Sequence, residues 1–194
     1  MMKIKNNPFP HIIIEDYFTD VEYKLIWREI DFLSSKLKSP GDFSAAKNDD
    51  GEYLTDSSGL SLDTTYLDRS VSDILRIMDD KLFSQEFYDS IIDENEYWEY
   101  FQRANRDFTK LRKYTSEQHY QAHQDMWVNV LVSTTLQKDD VEGGDLFFPN
   151  HAYMIPTKDN QTVIFPGWVK HGVTSVMSNN RYAITKFIHS AVPE

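Results

Sequence analysis

The stretch Tyr120-Gln-Ala-His123-Gln-Asp125-Met-Trp127-Val-Asn-Val-Leu-Val-Ser-Thr-Thr-Leu136 decides the fold. Its second part is rich in β-branched residues and predicts a strand over 127–136. In extended chain successive side chains point to opposite faces. Val128, Val130, Val132, Thr134 and Leu136 share one face, which suits burial under helices. Trp127, Asn129, Leu131, Ser133 and Thr135 share the other, a more polar row suited to lining a solvated pocket. His123 and Asp125 have the parity of that polar row, so a pair of metal-binding side chain types stands at the head of the strand.

Downstream the same texture continues. Short β-branched and aromatic segments at 108–114, 119–123, 145–148, 152–155, 161–165, 172–177 and 181–189 are separated by turn residues such as Gly143-Gly144, Pro166-Gly167 and Ser178-Asn179-Asn180. Strands at such close spacing indicate a sandwich or barrel. Upstream the texture is different. Pro8–Ile14 reads as a short strand, and Asp16 or Thr19 is placed to cap a helix over 20–37, where Val21, Leu25, Ile26, Ile30, Leu33 and Leu37 fall at helical spacing. Residues 41–63 have no periodicity and carry six acidic residues against Lys47, which reads as a long solvated loop or a lid. A second helical zone runs from about 67 to 106, with an apolar stripe at Ile74, Leu75, Met78 and Leu82 and an aromatic one ending at Tyr97, Trp98 and Phe101. No linker separates the halves. The expectation is one α+β domain over 1–194, in which 1–106 is a helical support and 107–190 the β core.

Composition narrows the function. The chain has 194 residues, enough for a full core. Its net charge of −11 opposes nucleic acid, whose binding needs a positive field, and opposes an anionic membrane surface. With no cysteine, a disulfide framework, thiolate metal site or Cys nucleophile is excluded. The first apolar run is too short for a signal peptide, so a cytoplasmic protein is the expectation.

Six histidines remain to be sorted. His11 and His119 read as surface or capping residues, and His151 and His189 as structural ones. His123 and Asp125 are i and i+2 in extended chain and converge on one point. His171, at the head of another strand, supplies a third donor. Two imidazoles and a carboxylate on one face suit non-haem Fe(II), although the pattern alone also fits zinc or chance. Arg181 follows a turn ten residues later. Turned inward, its guanidinium needs an anionic ligand or an acidic neighbour, because an unpaired buried charge is costly.

At this point the chain resembles the 2-oxoglutarate/Fe(II)-dependent dioxygenases of the prolyl 4-hydroxylase-like group. Leu111–Asp125, Gly143-Gly-Asp-Leu-Phe-Phe-Pro149, Val163–His171 and Arg181-Tyr-Ala-Ile-Thr185 carry the resemblance, in the family's order and near its spacings. It implies a double-stranded β-helix (jelly roll) core under an N-terminal helical layer. It implies that His123, Asp125 and His171 hold Fe(II) and that Arg181 binds the distal carboxylate of 2-oxoglutarate. Tyr114 matches a cosubstrate-binding tyrosine, Tyr120 an aromatic of the active site, Thr185 a support of the carboxylate site, and Gly143-Gly144 a structural turn. Thr135 stands where several relatives have a second cosubstrate tyrosine, and Phe187 where some have Trp. Asp125 favours a hydroxylase, since related halogenases lack that carboxylate. The implied reaction consumes O2 and 2-oxoglutarate, with ascorbate as reductant. It hydroxylates an unactivated C–H bond and releases succinate and CO2.

Substrate readings stay divided. A peptidyl proline is the first candidate, with Trp127 and Trp168 as an aromatic wall. A free amino acid or other small metabolite is the alternative. Arg112, in a basic island from Arg103 to Lys113, has the parity of Tyr114 and reads either as part of a solvated face or as a partner for an anionic group. A non-oxidative, cupin-like metal-binding module is the competing class, but it would not need Tyr114 and Arg181.

Overall fold

The structure is a computed structural model and describes residues 1–43, 45–138, 142–177 and 180–190. In chain order it contains β1 (Met2–Lys5), β2 (His11–Ile14), α1 (Asp20–Leu33), β3 (Ser58–Ser61), α2 (Leu62–Thr65), α3 (Asp73–Leu82), α4 (Gln85–Asp89) and α5 (Tyr100–Arg103). Eight further strands follow: β4 (Arg106–Tyr114), β5 (Tyr120–His123), β6 (Val130–Gln137), β7 (Leu146–Phe148), β8 (Tyr153–Ile155), β9 (Gln161–Pro166), β10 (His171–Val173) and β11 (Arg181–His189). They form two antiparallel sheets. The larger has the order β1-β2-β9-β6-β11-β4-β3, and the smaller β5-β10-β7-β8. This is the jelly roll expected from the resemblance.

The larger sheet is buried on both faces, and the alternation in β6 shows how. Val130, Val132 and Leu136 join Ile26, Ile30, Ile74, Leu75 and Met78 in a core between the sheet and helices α1 and α3. Leu131 turns the other way and meets Val163, Phe165 and Phe187 of the same sheet, and Leu146 and Phe148 of the smaller one. Thr134 lies on the helix side without a penalty, because its hydroxyl is hydrogen-bonded to that of Thr162 at 2.7 Å. The strand starts at Val130 rather than 127. Residues between Asp125 and Val130 form a turn closed by the Val128 N–H on the Asp125 carbonyl at 2.9 Å. That turn breaks the alternation, so Val128 packs between the sheets instead of under the helices.

Helix α1 begins at a capping box. The Glu22 N–H donates to the Thr19 hydroxyl, and the Thr19 N–H donates to the Glu22 carboxylate. It ends at Leu33 and continues as a 3-10 turn to Lys36, short of the expected 37. The zone 67–106 is three short helices joined by 3-10 turns rather than long helices. Its stripe Ile74, Leu75, Met78 and Leu82 is buried, as is Trp98. A charged network fastens these helices to the sheet. Lys186, wholly buried on β11, donates to Asp79 of α3 at 2.6 Å and to Asp107 of β4. Arg69 bridges Asp63, Asp79 and Asp107.

The acidic segment 41–63 is not a solvated loop throughout. Phe43, Ala45, Leu54, Thr55 and Ser57 are buried, and β3 adds an edge strand to β4. His11 is also a correction. It is completely buried, with Nδ1 2.8 Å from the Phe9 carbonyl and Nε2 3.1 Å from the Tyr153 hydroxyl. No helix among the described residues is long and apolar enough to cross a membrane.

Candidate active site

The smaller sheet brings two histidines face to face. β5 ends at His123, β10 begins at His171, and the two residues are directly paired across the ladder. Asp125 follows in the turn after β5. Its N–H donates to the Gly167 carbonyl at 2.9 Å. Gly167 is required there, since a Cβ would come within 2.5 Å of the Val128 carbonyl oxygen and 2.9 Å of that of Asp125. The turn before β10 thus holds the turn after β5.

Both imidazoles are locked in one tautomer. His123 Nδ1 lies 2.9 Å from the Gln121 carbonyl, and His171 Nδ1 2.8 Å from that of Val169. A carbonyl can only accept, so Nδ1 carries the proton and Nε2 presents its lone pair. Both Nε2 atoms face Asp125 Oδ2, at 3.9 Å for His123 and 3.7 Å for His171. These gaps are too long for hydrogen bonds. Burial pushes His171 down to about 3, helped by His123. It also lowers His123 and raises Asp125. Two neutral imidazoles and a buried carboxylate that share no proton, with donor atoms within 4.8 Å of one another, make a donor set short of positive charge. A divalent cation fits it.

Beside this cluster the large sheet presents Arg181. Only 2% of it is exposed. Its Nη2 donates to the Thr135 hydroxyl at 3.1 Å, and the guanidinium lies 5.0 Å from the centre of the Tyr114 ring. Nε and Nη1 have no partner among the described residues. The register accounts for the grouping: Arg181 pairs with Tyr114 on β4, and Ala183 with Thr135 on β6. Gly144, at φ +74°, leaves the space Arg181 fills, since a Cβ there would lie 2.7 Å from its Cδ. A guanidinium with two unused donor atoms at the closed end of a cavity suits a carboxylate.

These groups line one cavity of about 250 Å³. It contains His123, Asp125, His171, Arg181, Tyr114, Tyr120, Thr185, Trp127 and Arg112. Tyr120 stacks on His123 with ring centres 4.2 Å apart. Trp127 is 57% exposed at the mouth and stacks on Phe108 at 5.4 Å. Trp168 is not part of the lining. It is partly exposed, and its carbonyl accepts from Gln124 Nε2 at 2.6 Å. Arg112 lies on no solvated face: it is buried and turned to the cavity. Ser133 lines the cavity as the polar row of the strand predicts, whereas sequence reasoning missed Phe108 and Lys110, the first two cavity positions of β4. The alternation in β4 would have found the first two, because 108, 110, 112 and 114 share a face.

Comparison with known proteins agrees with this site. Residues 109–189 match the family model of the 2OG-Fe(II) oxygenase superfamily. No curated protein matches the chain in sequence. Among solved structures, a viral collagen prolyl hydroxylase of Paramecium Bursaria Chlorella virus-1, in complex with 2-oxoglutarate, is similar at 15% identity and a TM-score of 0.56, over 93% of this chain and 96% of that one. A Trichoplax adhaerens prolyl hydroxylase, bound to a hypoxia inducible factor peptide fragment, is similar at 14% identity and a TM-score of 0.64, over 93% and 83%. A Pseudomonas putida prolyl-4-hydroxylase is similar at 13% identity and a TM-score of 0.57, over 93% and 92%. At such identities the structures establish the fold alone. The family match covers residues 109–189, the stretch that holds His123, Asp125, His171 and Arg181.

Proposed function

We propose that this chain is an Fe(II)- and 2-oxoglutarate-dependent oxygenase that hydroxylates an unactivated C–H bond of a peptide or small molecule, with His123, Asp125 and His171 holding Fe(II) and Arg181 holding the distal carboxylate of 2-oxoglutarate. The observation that carries the proposal is the pairing of a His–Asp–His cluster, both Nε2 atoms turned inward, with a buried arginine that has two unused donor atoms in the same cavity. Bound together, Fe(II), 2-oxoglutarate and O2 supply the oxidation, which yields succinate, CO2 and a hydroxylated product.

The chain's own contribution is placement and shielding. The Gln121 and Val169 carbonyls fix both imidazoles, so no tautomer change accompanies metal binding. Thr135 and the Tyr114 ring hold the Arg181 guanidinium in position, and Thr185 stands on the same wall. Thr135 does from a short arm what a longer hydrogen-bonding side chain would do. Tyr120 covers His123 and keeps bulk water from that side of the site.

A peptidyl proline is the first candidate substrate. The support is the prolyl hydroxylase fold of the neighbours and the half-exposed Trp127 at the cavity mouth, stacked with Phe108 and near Phe187. The second reading, a small acid, is favoured by Arg112. The test is succinate release from protein supplied with Fe(II), ascorbate, 2-oxoglutarate and O2, screened against proline peptides and free amino acids. Substrate-stimulated release, lost in His123→Ala and Arg181→Gln, is the expected result. Metal binding without 2-oxoglutarate binding or turnover would instead indicate a cupin-like module.

A further inference from the structure

Arg181 is not the only buried cation in the cavity. Arg112 on β4 is 3% exposed and stands on the same wall. Its guanidinium is held between two rings, 4.9 Å from the centre of Phe43 and 4.8 Å from that of Tyr120. Nη2 donates to the Tyr120 hydroxyl at 3.4 Å, and Nη1 has no partner among the described residues. Gly59 faces Arg112 across the β3–β4 pairing, and a Cβ there would come within 2.7 Å of the Phe43 ring. The glycine therefore gives Phe43 its place over the guanidinium. On the other side Arg112 pairs with Ala183, whose small side chain leaves the cavity open between the two arginines.

The two buried arginines differ in what faces them. Asp145 acts on Arg181, and a carboxylate of 2-oxoglutarate fits its free donor atoms. Arg112 has no acidic side chain hydrogen-bonded to it among the described residues, and its Nη1 is left over inside the cavity lining. Arg112 also lies two residue pairs along the sheet from the Tyr114–Arg181 row, a step of about 6.8 Å along the strand. One small dicarboxylate that reaches the metal cluster and Arg181 leaves Arg112 unused.

We propose that Arg112 receives a carboxylate of the substrate, so that the molecule hydroxylated is an acid. This rests on the oxygenase reading above and specifies the substrate class of that site. The carboxylate has two sources: a free amino acid or small carboxylic acid, or a peptide with an acidic side chain or C-terminus close to the reacting carbon.

The test uses the Fe(II)-loaded enzyme and matched pairs. Free amino acids are compared with their amides, and proline peptides carrying a neighbouring Asp or Glu with those carrying Asn or Gln. Substrate-dependent succinate and hydroxylated product are followed together, and calorimetry on Mn(II)-loaded protein measures binding. The expected result is a preference of about tenfold or more for acid over amide in kcat/KM, the loss of one charge-assisted hydrogen bond. The arm that turns over names the source. Arg112→Gln brings the ratio close to one, Arg112→Lys keeps part of it, and Arg181→Gln keeps the ratio while raising half-saturation for 2-oxoglutarate. Melting temperature shows that each variant is folded, and 2-oxoglutarate binding shows that the cosubstrate site of the Arg112 variants is intact. Equal use of acid and amide by the wild type, or an unchanged ratio in Arg112→Gln, overturns the proposal. So does a rise in 2-oxoglutarate half-saturation in Arg112→Gln that matches Arg181→Gln, which would give Arg112 to the cosubstrate. Binding of 2-oxoglutarate with no acid of the panel bound beside it overturns the anion site and leaves the oxygenase intact. Failure of 2-oxoglutarate itself to bind or yield succinate removes both.

Discussion

At the scale of single residues, the site depends on polar groups that have no partner among the described residues. There Arg181 makes one hydrogen bond, to Thr135, and leaves Nε and Nη1 for a ligand. Thr135→Val should therefore raise half-saturation for 2-oxoglutarate by a few-fold, about the worth of one hydrogen bond to a charged group, while Arg181→Gln raises it by about a hundredfold. Steady-state succinate assays measure both. The His123–Asp125 pair was suggested by its i, i+2 parity, a pattern that also fits zinc or chance, and the full set with His171 came from the resemblance; Asp125 in fact stands in the turn after β5. The fate of Trp168 was not legible. Nearness in sequence to His171 says nothing about direction, and Trp168 lies in the turn that receives Gln124. Arg112 was legible as a parity argument, but a basic run in an acidic chain also fits a solvated face. Only the pairing of β4 with both β3 and β11 decides that it is covered.

At the scale of elements, charge joins helices to sheet. Burial raises the Asp107 carboxyl, but Lys186 and Arg69 lower it more, and the net shift is downward. A carboxylate depressed in the folded state adds stability that is complete above its unfolded value of about 3.9. That contribution is lost as pH falls through the lower folded value. The gap in melting temperature between wild type and Asp107→Asn should hold from neutrality down to about pH 4 and narrow below it. Thermal melts across that range measure it, and a gap that is independent of pH would contradict the account. Removing the buried partner should also lower stability in a denaturant titration, because Lys186→Ala leaves Asp79 and Asp107 to share Arg69 alone across the gap. The sequence showed the ten-residue stripe of α3 well. It did not show β3, because Ser-Gly-Leu-Ser has little strand propensity of its own and gains its ladder from the edge of β4. The turn at 125–129 was likewise hidden, since its backbone hydrogen bonds come from distant Gly167 as well as from Asp125 itself.

At the scale of the whole molecule, two cores share the larger sheet. The core under the helices supplies rigidity, while the space between the sheets is filled by apolar side chains at one end and by the cavity at the other. A metal that binds only the folded chain stabilises it by mass action, about 2.7 kcal/mol at a hundredfold excess over Kd. Added Mn(II) should therefore raise the melting temperature of wild type, EDTA should reverse this, and Asp125→Ala should show no response. Strand spacing pointed to a sandwich or barrel and the resemblance to a jelly roll, whereas the helical support could not be drawn in detail, because its short helices are set by tertiary packing and caps rather than by long periodic runs. The central claim is that His123, Asp125 and His171 hold Fe(II) within reach of a 2-oxoglutarate anchored on Arg181. Its most direct test is the visible difference spectrum on adding 2-oxoglutarate to Fe(II)-loaded protein without oxygen. Chelation of Fe(II) by the 2-keto acid gives a charge-transfer band. The account predicts that band in wild type, its loss in Asp125→Ala, and a shift to much higher 2-oxoglutarate concentration in Arg181→Gln. A wild-type protein that binds Fe(II) but gives no band at any 2-oxoglutarate concentration would contradict it.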